Sequence, residues 1–263
     1  MTLEVSPVRG ARDLESFIRL PETLYEKDPT FVPMLRSSER KMLDPKRNPF
    51  YEHAEAEHFL ARRDGRIVGR VSAIRNRAHE EIHRDKAGFF GYFDAENDAE
   101  AARSLLATAE DWNRSRGLER ILGPVNPSTN DPCGTLVEGF KWPPFVLMTG
   151  NPPYTPGLIE GAGYARAKDL LAYFLPASEA SHDKVKKVAA AVKSRGDVML
   201  REIDLSRFDE ELALVMEIYN DAWSKNWGFV PMTAEEIRFT ADDLKAVVLP
   251  ELAYFAFLDG KVV

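Results

Sequence analysis

Apolar positions along the chain fall into short runs whose spacing changes repeatedly between two and about three and a half, as expected of strands alternating with helices. Leu3 to Pro7 alternates apolar and polar residues like an edge strand. Leu14, Phe17, Ile18, Leu24 and Tyr25 recur at helical spacing, with Pro21 expected to kink or split the helix. Prolines 29, 33, 45 and 49 predict an extended crossing segment from Asp28 to Phe50. His58–Arg63 and Arg66–Ile74, joined by Asp64-Gly65, predict a hairpin, and Gly88–Phe93 an aromatic strand. Ala99, Ala102, Leu105, Leu106, Ala109 and Trp112 mark an amphipathic helix, capped by Asn97 or Asp98 and closed by Gly117. Arg120–Val125, Pro144–Thr149 and Leu170–Leu175 read as further strands, and Pro156–Ala162 as a short helix stopped by Gly163.

Beyond Pro176 a helix is predicted from Asp183 to Arg195, its lysines forming a solvated face, and then the earlier pattern returns. A strand covers Val198–Ile203 and a helix carries Phe208 to Trp223. Thr233-Ala-Glu-Glu236 is a capping box, and a strand at Ala253–Leu258 runs into the turn Asp259-Gly260. Phe31-Val-Pro-Met34 and Phe229-Val-Pro-Met232 lie 198 positions apart, Asp64-Gly65 and Asp259-Gly260 195 apart. The same signs in the same order predict an internal duplication. The expected organisation is a complete first domain over 1–177, a connecting helix over 178–197, and the opening portion of a second domain, cut short, over 198–263.

The densest punctuation lies between Gly123 and Gly163. Eight of the seventeen prolines, at 124, 127, 132, 143, 144, 152, 153 and 156, sit there among Asn, Ser, Thr and Asp, so regular structure cannot run through it. Rigid loops flanking a buried strand would hold Asn126, Ser128, Asn130, Asp131, Asn151 and Tyr154 near one end of a sheet. Asn126 and Asn130 could steady a carbonyl or oxyanion, Asp131 could accept a proton from an ammonium group, and Tyr154 could donate one. The same residue types are also ordinary turn formers. Trp223, Trp227 and Phe229 could line an apolar acyl groove opening between the two copies, or serve only as core and interface packing.

Composition narrows the partners. A net charge of −7 and a pI near 5.4 disfavour general affinity for nucleic acid or an anionic membrane. One cysteine, Cys133, excludes an internal disulfide and fits a reducing compartment; as a nucleophile it is the weaker reading. With no signal-like or membrane-spanning run, a cytoplasmic location is expected. A homodimer is left open.

The succession of strand, helix, Asp-Gly hairpin, aromatic strand and Ala/Leu-rich helix, closing in LIEGAGY at 158–164, resembles the GCN5-related N-acetyltransferase (GNAT) fold. The runs GPVNPSTNDPCG and FVLMTGNPPY more specifically resemble a bacterial branch with two GNAT-like halves that includes bacterial ceramide synthase-like proteins. The resemblance implies an α/β (α+β) fold, a mixed, mostly antiparallel sheet flanked by helices. It further implies transfer of an acyl group from acyl-CoA or acetyl-CoA to a small-molecule amine, with a long-chain amino base as one candidate and no metal. Two departures stand out. The turn expected to cradle the CoA pyrophosphate, Phe93–Glu100, has no glycine and four carboxylates, and Ile159 occupies the place of the family's general-acid tyrosine. Both favour a second reading, a non-catalytic GNAT-like binding or scaffold module.

A third class rests on His79-Glu80-Glu81-Ile82-His83, a literal H-E-x-x-H whose histidines would share one face of a helix as zinc ligands. Its charged neighbours Arg77, Arg84 and Asp85 favour instead a solvated segment between strands. His53, His58 and His182 are isolated in the sequence and point to no site.

Overall fold

The computed structural model describes residues 2–176, 183–196, 198–244 and 248–263. Five strands, β1 (Leu3–Pro7), β2 (Ala54–Arg63), β3 (Arg66–Asn76), β4 (Ala87–Ala95) and β5 (Arg120–Leu122), form one sheet in chain order. The first four pair antiparallel, and β5 joins β4 in parallel. The β2–β3 hairpin turns at Asp64 and Gly65, with φ of 49° and 82°, a left-handed pair that the Asp-Gly dipeptide accepts at little cost. A parallel pair needs a crossover, and α4 (Ala99–Arg114) supplies it. Ala101, Ala102, Leu105, Leu106 and Ala109 of α4 are fully buried against Phe59, Val71 and Phe90 of the sheet. Each leucine so buried contributes about 1.5–3 kcal/mol. Asp98 caps α4 by accepting from the amides of Glu100 and Ala101 at 3.0 and 3.1 Å.

The opposite face of the sheet is covered by α1 (Gly10–Leu24), which continues through Pro21. Its Phe17, Ile18 and Leu20 pack with Leu43, Leu60 and Tyr92. The segment expected to be extended from Asp28 to Phe50 instead contains α2 (Arg36–Met42). That helix has a charged sequence, and what holds it is Glu39, 8% exposed, with Oε1 3.4 Å from Arg70 Nη1. Arg70 also donates to Asp94 Oδ2 and to the Phe17 carbonyl, each at 2.8 Å, and Tyr25 donates to Asp94 Oδ1 at 2.8 Å. A buried guanidinium is tolerated only when its donors are met in this way.

Two apolar runs expected to be strands are not. Phe145, Val146 and Leu147 are 59–80% exposed in a turn closed by the Met148 amide on the Phe145 carbonyl. Leu170–Leu175 is irregular and exposed. Strand β5 also stops at Leu122, short of the expected Val125, because Pro124 and Pro127 break the ladder. Two short helices complete this part, α3 (Arg77–His83) and α5 (Thr155–Gly161).

Chain contacts divide the molecule into a unit of Met1–Asp169 with Trp227–Val230, and a second of Leu170–Asn226 with Pro231–Val263. In the second unit, α6 (Asp183–Arg195) is exposed along its described side chains, Val185 and Val188 included. His182 lies outside the described residues, as do parts of the expected connecting segment. Strands β6 (Val198–Glu202), β7 (Tyr254–Leu258) and β8 (Lys261–Val262) form a separate antiparallel sheet in that order, with α7 (Phe208–Trp223) and α8 (Ala234–Leu244) between β6 and β7. The capping box forms as read: Thr233 Oγ1 accepts from the Glu236 amide at 3.2 Å, and Glu236 accepts from the Thr233 amide at 2.8 Å. Leu3 pairs with Arg63 and Val198 with Leu258, both members displaced by 195 positions, so the two hairpin sheets share one register.

Candidate functional site

The segment 123–131 leaves β5 and lies back along β4. The Val125 amide donates to the Phe90 carbonyl at 2.9 Å. Gly91 permits the approach, since a Cβ there would stand 1.6 Å from the Val125 carbonyl oxygen. Beside it β4 bulges: two residues, Tyr92 and Phe93, face the single Val71 of β3, and Tyr92 takes a φ of 46°. The bulge turns the Tyr92 amide out of the ladder, and Asn126 Oδ1 accepts from it at 2.5 Å. The opening between β4 and β5 is thus filled by the chain's own Gly123–Asn126.

The next residues are similarly committed. Ser128 donates to Asp131 Oδ2 at 2.7 Å and accepts from the Asn130 amide at 3.1 Å. Thr129 donates to the Gly228 carbonyl and Asn130 Nδ2 to the Val230 carbonyl, both at 2.9 Å. His83 Nε2 lies 2.9 Å from the Phe229 carbonyl, which fixes that nitrogen as a donor. Three consecutive carbonyls are therefore met by side chains of the first unit. Phe229 and Val230 are buried there. Trp227 is half-exposed in the first unit, and Trp223, also half-exposed, belongs to the second.

A cavity of about 10 Å³, room for about one water, lies among Asn76, His79, Phe89, Ser128, Thr129 and Val230. His79 is 3% exposed and neither ring nitrogen has an aligned hydrogen bond, although Nε2 is 3.3 Å from Asp85 Oδ1. Burial, then the neighbouring His83, pushes its pKa down. The H-E-x-x-H run is thus a short helix joining β3 to β4, accessible along most of its length, with His79 its one buried residue. Its Glu80, however, is held by Arg75 at 2.7 Å, and no group of three or more ligand residues among the described residues could hold a metal ion.

Asn151 and Tyr154 stand apart from this loop. Asn151 accepts from the Leu136 amide at 2.7 Å and donates to the Leu136 carbonyl at 3.2 Å, closing the neck of the intervening loop. Tyr154 donates to the Ala95 carbonyl at 3.0 Å, and burial, with Asp94 and Glu96 nearby, pushes its phenol up to about 12. Ile159 is buried in the core under α4. Cys133 is half-buried, its thiol raised by burial and by the Asp131 carboxylate, the reverse of an activated nucleophile.

The chain also contains a histidine site that sequence spacing concealed. His58 Nδ1 lies 2.7 Å from Ser72 Oγ, its register partner on β3, and the ring packs on Phe17 with centroids 5.1 Å apart. Burial, reinforced by Arg70, pushes its pKa down to about 4. Only the hairpin register brings this pair together; no motif announces it.

The residues at the start of α4 do not fit a CoA pyrophosphate. Asp98 satisfies the Glu100 and Ala101 amides, while Arg63 is paired with Asp98 and Glu100, and Arg66 with Glu96. The Glu100 and Ala101 amides and the Arg63 and Arg66 guanidinium groups are thus already engaged.

The sheet, antiparallel except where α4 crosses from β4 to parallel β5, defines a GNAT-like α/β protein. A protein of Caulobacter vibrioides named bacterial ceramide synthase is 42% identical over 98% of this chain and 67% of its own length. Protein YghO of Escherichia coli is 35% identical over 94% of this chain and 63% of its own. The chain belongs to the GNAT-like bacterial family that includes bacterial ceramide synthase. It spans about two thirds of those relatives' lengths. No protein-family model matches it. Among solved structures, a tandem GNAT protein from the clavulanic acid biosynthesis pathway aligns over 99% of this chain and 72% of its own, at 15% identity and a TM-score of 0.48.

Proposed function

We propose that the protein is an N-acyltransferase that moves an acyl group from acyl-CoA to an amine, with a long-chain amino base as acceptor. The observation that carries the reading is the 42% identity, along nearly the whole chain, to a protein named for ceramide synthesis. In such a transfer the amine nitrogen bonds to the thioester carbonyl carbon, the C–S bond breaks, and the ammonium proton leaves through a base, giving an amide and a free thiol. Asp131, part of the loop beside β4, is the residue assigned to the ammonium group. Asn126 and Asn130 are assigned to holding the loop, and Tyr154 to the turn before α4, since their side chains are engaged there. Incubating the chain with a long-chain 2-amino-1,3-diol and a long-chain acyl-CoA, with amide detected by mass spectrometry, tests the reading. Amide formation that falls in Asp131→Ala supports it; none at any acyl length removes it.

The filled opening between β4 and β5 and the acid-capped α4 favour a second reading for the first unit, a non-catalytic GNAT-like scaffold. Calorimetry with acyl-CoA separates the two. A scaffold shows no heat of binding, whereas the transferase binds its donor.

A further inference from the structure

Between Leu136 and Asn151 the chain leaves the body of the first unit and returns, and both ends are held together by the Asn151 carboxamide bridging the Leu136 amide and carbonyl. At the far end Trp142, Phe145, Val146, Leu147 and Met148 are 66, 65, 80, 59 and 42% exposed. The tip cannot easily fold back on itself. Pro143 and Pro144 fix two φ angles, and Leu147 is held at a φ of 61°, rare for a residue with a branched side chain. A closed neck bearing a cluster of outward apolar side chains is not a core element that lost its way.

Charge indicates what this tip meets. In a chain that is 29% charged with a net −7, the stretch from Gly139 to Ile159 has one charged residue, Lys141. Its ammonium stands 5.4 Å from the Trp142 ring centroid. A tryptophan with an adjacent lysine, above a carboxylate-free apolar cluster, matches the layering of a bilayer surface, phosphate and carbonyl zone over acyl chains. A protein partner would require a matching concavity, whereas the bilayer interface accepts a convex tip of any outline.

We propose that the 139–148 loop docks the protein on a lipid bilayer surface, with Trp142, Phe145 and Leu147 entering the interface and Lys141 at headgroup level. The inference deepens the lipid-amine reading, on which its purpose rests: an acceptor with long alkyl chains resides in a membrane and must be met there. Docking itself needs neither substrate.

Flotation of the chain with phosphatidylcholine vesicles, with and without phosphatidylglycerol, tests the proposal in the absence of amine and acyl-CoA, so failed acyl transfer cannot be mistaken for failed docking. The expected result is flotation with both vesicle types and a blue shift of tryptophan emission that Trp142→Phe abolishes. The double substitution Phe145→Ser/Leu147→Ser should weaken binding about tenfold or more, two apolar side chains no longer leaving water. Its circular dichroism and melting should match the parent, because the tip makes no core contacts. Asn151→Ala, which loosens the neck, should weaken flotation while leaving the tip intact. A parent chain that floats with neither vesicle overturns the proposal, as does a double variant that floats like the parent. Flotation with phosphatidylglycerol alone, unaffected by the tip substitutions, overturns it too. So does a parent that ignores vesicles but self-associates through the tip, which would make the loop a protein interface.

Discussion

The Tyr92 amide and the Asn126 carboxamide oxygen meet at 2.5 Å, where β4 bulges and the loop after β5 folds back against it. This contact decides what the first unit can offer a ligand, because the donor freed by the bulge is consumed by the chain itself. It also separates two meanings of the candidate loop, a catalytic constellation or a structural tie.

Asn126→Ala should cost about 1–3 kcal/mol in urea unfolding, the penalty for leaving a part-buried amide without its acceptor. Asn126→Asp, which keeps an oxygen in place, should restore most of it. Unchanged stability in Asn126→Ala would show that the contact does not hold the loop.

His58 is lowered to about 4 by burial and by Arg70. A base whose folded pKa is depressed contributes stability that is complete above the unfolded imidazole value, about 6.5, and is lost as pH falls toward 4. The unfolding free energy should therefore decline over that window, by up to about 1.4 kcal/mol per pH unit for this one group. His79, also lowered, adds to the slope in the same direction. His58→Gln should flatten the profile between pH 4 and 6.5; a profile identical to the parent's would exclude His58 as its source.

Asp98 caps α4 and is paired with Arg63 at 2.6 Å. Burial works to raise its pKa, but the Ala101 amide and the Arg63 guanidinium outweigh it and hold the carboxyl below its ordinary range. Asp98→Ala should cost about 0.5–2 kcal/mol, typical of a lost N-cap, read as a lowered melting temperature. Acyl-CoA heats should be unchanged in the same variant, since Glu96 and Glu100 still flank the turn.

His83→Ala should speed amide exchange in the 228–230 segment, because it removes the donor to the Phe229 carbonyl. Metal analysis of the same protein checks the H-E-x-x-H run. One equivalent of zinc, lost in His79→Ala, would reinstate the metallohydrolase reading.

Local signals were legible wherever the physics is local. Asp64-Gly65 fixes a left-handed turn pair, Thr233 and Glu236 cap each other, and the Ala/Leu face of α4 follows a period that only a helix satisfies. Pro144–Thr149 has the composition of a buried strand, but a short apolar run states composition and not destination; the paired prolines and the Asn151 neck, which turn it outward, act through distant contacts. Helix α2 was hidden because Arg36–Met42 has no apolar stripe and is anchored through Glu39 to Arg70, a residue 31 positions away. The site loop was visible as a stretch, but its partners were not. Thr129 and Asn130 reach carbonyls about a hundred residues further on, and nothing in their neighbourhood foretells it.

The common register of the two hairpin sheets has a practical use. Asp64 and Asp259, with φ of 49° and 51°, stand at corresponding corners, and so do Gly65 and Gly260 at 82° and 79°. A single polypeptide thereby carries two independent trials of one architectural solution, with different side chains on matching scaffolds. Any substitution in one corner can be calibrated against its counterpart in the same tube, under the same solvent and temperature, which turns an ordinary mutagenesis series into an internally referenced measurement.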